Sequence, residues 1–318
     1  MDPSPIARPA APSPRIGLAL GSGSARGLAH LGVLRAVAEA GLTVDCIAGS
    51  SIGALVGAVA AAGQLDALEA TFQTFDWRKT LSFFDVVLPR SGLIDGAKVG
   101  ELVRAHVPTA RIEDLPTPFA AVATDIVSGA EIVIRSGDVI DAVRASISVP
   151  GIFTPLRTDG RILVDGGMSN PVPVSVARDM GADVVIAVDL NHDIVAGKNF
   201  RPDTPVPAPR WVGGFRQTMA ELKDALLARG APAQAQFARW ASSGERLPNI
   251  FEVLLASINV METRITSARL DLERPELLIR PPLGHVRFLE FGRADEIIRI
   301  GYEAATQALA GWRPPRPA

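Results

Sequence analysis

The sequence predicts an α/β protein: a mostly parallel central sheet with helices on both faces, in three α/β/α layers. Three observations carry this. Short apolar runs such as "RIGLAL" and "DVVIAVDL" alternate with longer stretches of helical periodicity. Glycine-rich turns separate the two kinds of segment. The 318 residues are 47% hydrophobic and 21% charged, the composition of a globular chain with a sizeable core. Strand and helix in alternation call for crossover connections, hence parallel pairing.

The elements follow in order. "RIGLAL" (Arg15 to Leu20) reads as a buried strand and "GSGSARG" as a glycine-rich loop. In "LAHLGVLRAVAEAG", Leu28, Leu31, Leu34 and Val37 share one helical face, and Gly41 ends the helix. "TVDCIAG" is a second strand, and Ile52 to Ala62 the next helix, stopped by Gly63. Thr71 to Leu93 holds Phe72, Phe75, Trp77, Phe83 and Phe84; it reads as a segment packed on the core or as an apolar cap over a site. "PFAAVATDI" and "AEIVIRSG" form a hairpin across Ser128-Gly129. "DVIDAVRASIS" is a helix, "RILVDGG" a strand with Asp165 at its carboxyl end, "VPVSVARDMGA" a helix and "DVVIAVDL" a strand.

After Leu190 the character changes. Residues 191–247 read as a Pro-rich linker and an amphipathic insertion, with Trp211, Phe215, Met219, Leu222 and Leu226 on one helical face. That stripe suits the chain's own domain, a homodimer partner or a membrane surface. Beyond Pro248 come a long helix, the strand "PELLIRPPL" and a closing helix. Residues 15–312 are expected to form one domain, and 1–14, rich in Pro and Ala, a disordered tail without signal-peptide features.

Net charge is −2, and no Lys/Arg block occurs, which argues against nucleic acid as a partner. The single cysteine, Cys46, allows no disulfide within the chain, so a reducing, cytoplasmic compartment is expected. No apolar run reaches 18 residues; the longest, Ala54 to Ala62, is about half a membrane span. Contact with a membrane would be peripheral, at the inner face.

Two motifs suggest chemistry. "GSSIG", with Gly49 and Gly53 flanking Ser51, has the G-x-S-x-G form that exposes a serine between strand and helix. A serine hydroxyl needs a base and an oriented setting to act as nucleophile. Ser50 reads as a packing residue or N-cap. The loop with Gly21, Gly23 and Gly27 precedes a helix, where free N–H groups make an anion site. It could bind an oxyanion or a nucleotide pyrophosphate. For the nucleotide, Asp45 falls eighteen residues after Gly27, near where a ribose-binding acid belongs. Against it, Arg26 fills the sixth position of the fingerprint, no Walker lysine is present, and Tyr302 is not followed by Tyr-x-x-x-Lys spacing.

Of the four histidines, none sits in a recognisable motif. His30 reads as a helix residue near the surface; His106 is on a helix, His285 in a late turn, and His192, past the strand end, is the best placed for a Ser–His–Asp arrangement. Asp165, followed by Gly166 and Gly167, either caps a turn or takes the Ser51 proton directly.

The ordered motifs "LGSGSARGLAHLGVL", "GSSIGALVGA", "SISVPGIFTPL" and "LVDGGMSNPVPV" resemble bacterial patatin-like phospholipases, closest to the branch similar to the neuropathy target esterase catalytic domain. The resemblance covers about Ile16 to Leu190, and more loosely the rest. It implies the patatin-like three-layer fold and an acyl-lipid ester hydrolase of phospholipase A or lysophospholipase type, needing no metal or cofactor. It implies Ser51 as nucleophile, Asp165 as base, and the N–H groups of Gly23, Ser24 and Ala25 as oxyanion hole, with Arg26 at the family's basic position. Ser22 and Ser24 stand where the family loop has glycine, which a serine tolerates if φ stays negative. A non-catalytic regulatory or membrane-associated scaffold of the same fold, and a nucleotide-binding protein using residues 21–27, are the alternatives.

Overall fold

The computed structural model describes residues 13–75, 96–194 and 250–315. Eight strands form one sheet: β1 (Ile16–Leu20), β2 (Cys46–Ser50), β3 (Phe119–Asp125), β4 (Glu131–Ile134), β5 (Leu156–Thr158), β6 (Arg161–Asp165), β7 (Val184–Val188) and β8 (Leu277–Ile279). The helices are α1 (Ala29–Glu39), α2 (Ile52–Ala61), α3 (Leu65–Gln73), α4 (Ala97–His106), α5 (Val139–Ser146), α6 (Val174–Asp179), α7 (Ile250–Glu273) and α8 (Ala294–Leu309).

β3, β2, β1, β7 and β8 pair in parallel, each to the next. Side chains alternate along these strands and feed two cores. Leu18, Leu20, Ile47, Ile186 and Val188 face one core with α1, α2 and α8. Ala19, Ala48, Ala120 and Ala187 face the other, with Val174, Val176 and Ala177 of α6 and Leu270 of α7. Small residues on that second face let α6 lie close to the sheet. The three layers expected from the sequence are thus present.

The sheet is mixed at one end. β3 and β4 are the expected antiparallel hairpin. β6 also runs antiparallel to β3, and β5 antiparallel to β6. The βα alternation inferred for this stretch is therefore interrupted by two hairpins. Hydrophobic pattern marks a strand but carries no information about its direction.

The expected tail, apart from residues 13 and 14, lies outside the described residues, as does the 191–247 segment apart from its first four residues. The 211–229 stripe, Trp77, Phe83 and Phe84 fall in the same category. Among the described residues, no helix is long and apolar enough to cross a membrane.

Candidate active site

The site forms where two strands meet end to end on one edge of β3. β4 occupies the other edge over Ala121–Thr124. On the shared edge, β2 pairs as far as Ser50 opposite Val122, and β6 takes over with Asp165 opposite Ala123. A strand has two edges, so β2 and β6 must abut. Their facing ends carry Ser51 and Asp165. The expected place of Asp165, at a strand's carboxyl end, is observed, but the strand arrives from the opposite direction to that of a parallel sheet.

Ser51 sits at the turn from β2 into α2, with φ 56° and ψ −124°. A non-glycine residue there stores about 1–3 kcal/mol of strain, held only because the surroundings dictate it. Its N–H donates to Ser146 Oγ at 2.8 Å. The turn is too tight for larger residues: a Cβ on Gly49 would lie 2.3 Å from Gly53 O, and one on Gly53 2.1 Å from Leu20 O. Ser51 Oγ donates to Asp165 Oδ2 at 2.6 Å. The amino end of α2 adds positive potential at this point. Ser50 ends β2, fully buried, with an unpartnered hydroxyl packed against Gly166.

Asp165 is 2% exposed. Its Oδ1 accepts from Gly167 N at 2.7 Å. The backbone is pinned on both sides, N–H to Ser148 O and C=O from Thr124 Oγ1. Burial raises its pKa to about 7, against the hydrogen bonds from Ser51 and Gly167, which favour the charged form.

The loop after β1 shares a pocket with Ser51 through Ser24. Gly21 N–H is taken by Val188 O and Ser22 N–H by Pro171 O. Gly23 and Ser24 carry no amide hydrogen bond among the described residues. Ala25 departs from the expectation: its N–H donates to Phe288 O at 3.1 Å, as does Ser24 Oγ at 2.6 Å. Ser24 also departs, with φ 50° where a negative value was expected. The left-handed turn at Ser24 swings the Ala25 amide away toward Phe288. Two donors, not three, remain free. Ser24 and Ser51 border one apolar pocket, lined by Leu55, Phe72, Phe75, Val149, Phe153 and Phe288. Phe72 and Phe75, from the aromatic-rich segment, therefore line this pocket.

Arg26 is 1% exposed and ties three segments together, bonding Val286 O, Asn191 Oδ1 and Asn259 Oδ1. Burial lowers its pKa to about 10. Gly27 starts the step into α1, where Ile52 packs against it.

The histidines are elsewhere. His30, expected near the surface, is fully buried; its Nε2–H donates to Gly21 O at 2.8 Å, and burial lowers its pKa to about 4, keeping it neutral. It supports the loop. His106 bonds Leu102 O and Thr71 Oγ1, and His285 meets Glu296. His192 lines a separate polar pocket with Asp189 and Arg280. Asp45 accepts from Ile16 N at 2.7 Å, at the amino ends of β1 and β2. The glycine-rich loop is at the carboxyl end of β1, about 16 Å away at strand rise. The acid that a dinucleotide would require is at the wrong end of the sheet.

The sequence profile described as "Patatin: Patatin-like phospholipase" matches residues 18–178. An uncharacterised NTE family protein of Mycobacterium tuberculosis is 35% identical, covering 93% of this chain and 92% of that one. The chain belongs to the patatin-like phospholipase family. Family membership implies lipid acyl hydrolysis. Human patatin-like phospholipase domain-containing protein 6 is 28% identical over 93% of this chain, which spans 20% of that protein. Among solved structures, VipD from Legionella pneumophila overlays with TM-score 0.43 and 15% identity, covering 94% of this chain and 67% of that one.

Motif reading missed the roles of several residues at the site. Ser146, which opens the motif "SISVPGIFTPL", and Phe288, Asn191 and Glu262, which lie outside the motifs, touch the site's backbone or side chains, each from a separate element. Asn191 and Glu262 carry no local sequence signal: their spacing to Ser51 or Asp165 is set by packing.

Proposed function

We propose that the protein hydrolyses carboxylic esters of acyl lipids, as a phospholipase A or lysophospholipase, through a Ser51–Asp165 dyad. The observation that carries this reading is the 2.6 Å hydrogen bond from Ser51 Oγ to Asp165 Oδ2 at a strained strand-to-helix turn. Ser51 Oγ attacks the ester carbonyl carbon and its proton passes to Asp165 Oδ2. The oxyanion forms at the Gly23 and Ser24 amides, where each donor removed costs about 2.7–4 kcal/mol of barrier. Collapse breaks the bond to the alcohol, which takes the proton from Asp165. Water then attacks the acyl-enzyme, giving its proton to Asp165; the fatty acid leaves and Ser51 recovers its proton.

Two further features support the assignment. A base with pKa raised to about 7 is matched to neutral operation. The apolar pocket beside Ser51 suits an acyl chain and offers a polar headgroup nothing.

Ser51→Ala and Asp165→Asn are expected to abolish hydrolysis of p-nitrophenyl esters and lysophospholipids while the circular dichroism stays native. A fluorophosphonate probe should label Ser51 in the wild type. Full turnover in either variant overturns the dyad, and absence of both labelling and turnover favours a scaffold.

A further inference from the structure

Glu262 lies mid-way along α7, outside the residues matched by the family profile and outside every motif in the sequence. It is 6% exposed and, among the described residues, forms no ion pair. Its Oε2 accepts from Asn191 Nδ2 at 2.9 Å, and the same Nδ2 donates to Ser22 Oγ of the oxyanion loop at 3.1 Å, so Asn191 joins Glu262 to that loop. Its other oxygen presses on the turn after Asp165. A Cβ on Gly167 would lie 2.2 Å from Glu262 Oε1 and 3.0 Å from Asp165 Oδ1, so the two oxygens are at most 5.2 Å apart. Glycine at 167 is what allows this approach.

The charged neighbours among the described residues are these. Asp165 faces Glu262 from the β6 turn. Arg26, on the loop side, attracts it and meets it through Asn191, whose Oδ1 takes the guanidinium. Asp193, which accepts from Gly284 N, also attracts Arg26. Asp189 accepts from Asn191 N and is ion-paired to Arg280. His30, at Gly21, is neutral. Two buried carboxyls this close do not both ionise at neutral pH. The first charge settles on Asp165, which has the Ser51 hydroxyl and the Gly167 amide as donors.

We propose that Glu262 is a positioning residue: as a neutral carboxylic acid it braces the oxyanion loop at Ser22 against the Asp165–Gly167 turn and leaves Asp165 as the single negative charge there. Burial and the Asp165 charge together push the Glu262 carboxyl up to about 8, in keeping with that role. The inference rests on the dyad reading for its link to catalysis, but the protonation of Glu262 is measurable without it.

Glu262→Gln retains an acceptor oxygen for Asn191, which in turn holds Ser22, and should hold kcat at pH 7.5 within about threefold of wild type. Glu262→Leu removes that acceptor, leaving Asn191 Nδ2 with Ser22 Oγ alone, and should lower kcat about tenfold with KM little changed. Infrared spectra of the full chain at pH 7.5 should show a carboxylic-acid C=O stretch that Glu262→Gln loses and Ser51→Ala keeps. The slope of stability against pH between 5.5 and 7 should fall to about half in Glu262→Gln, since one of two buried protons is removed. Wild-type kcat in Glu262→Leu, or an infrared band unchanged in Glu262→Gln, overturns the proposal. Should Ser51→Ala remain active, the dyad fails; the infrared band and the stability slope still decide the state of Glu262.

Discussion

Ser24 and Ser51 hold nearly the same unusual backbone angle, φ 50° and 56°, in two loops that face one pocket. Their hydroxyls do opposite things. Ser51 Oγ donates to a buried carboxyl, Asp165, the proposed base. Ser24 Oγ points at a backbone carbonyl, Phe288 O, which only anchors it. Strain at Ser51 holds its hydroxyl on Asp165; strain at Ser24 turns the Ala25 amide to Phe288 O. Backbone strain therefore marks the site, but only the hydrogen-bond partner reveals the role of each serine.

The sharpest way to break this comparison is to remove both side chains while relieving the strain. Ser51→Gly should lose at least about 10³-fold in kcat with little net change in stability, since strain relief and the lost Asp165 bond are each worth about 1–3 kcal/mol. Ser24→Gly should keep kcat within a few-fold. Its stability should hardly move, since strain relief and the lost Phe288 bond are each worth about 1 kcal/mol. Esterase assays and urea melts test both. Equal kinetic losses would show that the two serines share one role.

The base of the pair gives a pH signature. On the proposed dyad activity requires ionised Asp165, so kcat/KM should rise about tenfold per pH unit below its pKa of about 7 and level off above it. Stability runs the other way. Asp165 and Glu262 both have folded pKa values above their unfolded ones, so their contribution is complete below about pH 4 and is lost as pH climbs toward 8. Thermal melts from pH 5.5 to 8.5 should decline, and less so in Asp165→Asn. A flat profile would mean that the carboxyl is not buried as described.

A smaller effect tests what holds Ser51. Ser146→Ala removes the acceptor of the Ser51 N–H and should destabilise by about 1–3 kcal/mol, with about a tenfold loss of kcat. The mildest test concerns the Ser24 loop. Amide hydrogen exchange should be slow at Ala25, bonded to Phe288 O, and faster at Gly23 and Ser24. A phosphonate on Ser51 should slow the latter two. Protection that moves to Ala25 instead would restore the three-donor hole.

The alternation of strands and helices and the elbow at Ser51 were legible because their determinants are local. Periodicity, glycine at tight turns and small residues before a helix all act within a few positions. Ser24 defied the local expectation because its φ is set by contact with Phe288, 264 residues away. His30 was misjudged because the face it occupies is covered, and nothing in "LAHLGVL" says so. The direction of β6 within the sheet was hidden for the same reason: its place is set by β3, about forty residues earlier in the chain.

The sequence by itself determined the class of fold, the family and the residue types that could act: a serine at an elbow, a carboxylate before two glycines, a glycine-rich loop. Tertiary structure alone decided which of them meet. β2 and β6 share one edge of β3, and that brings Ser51 to Asp165 across 114 residues. It also decided the state of the carboxyls. Burial is a property of the packed core, and only burial raises the pKa of Asp165 and sets Glu262 beside it.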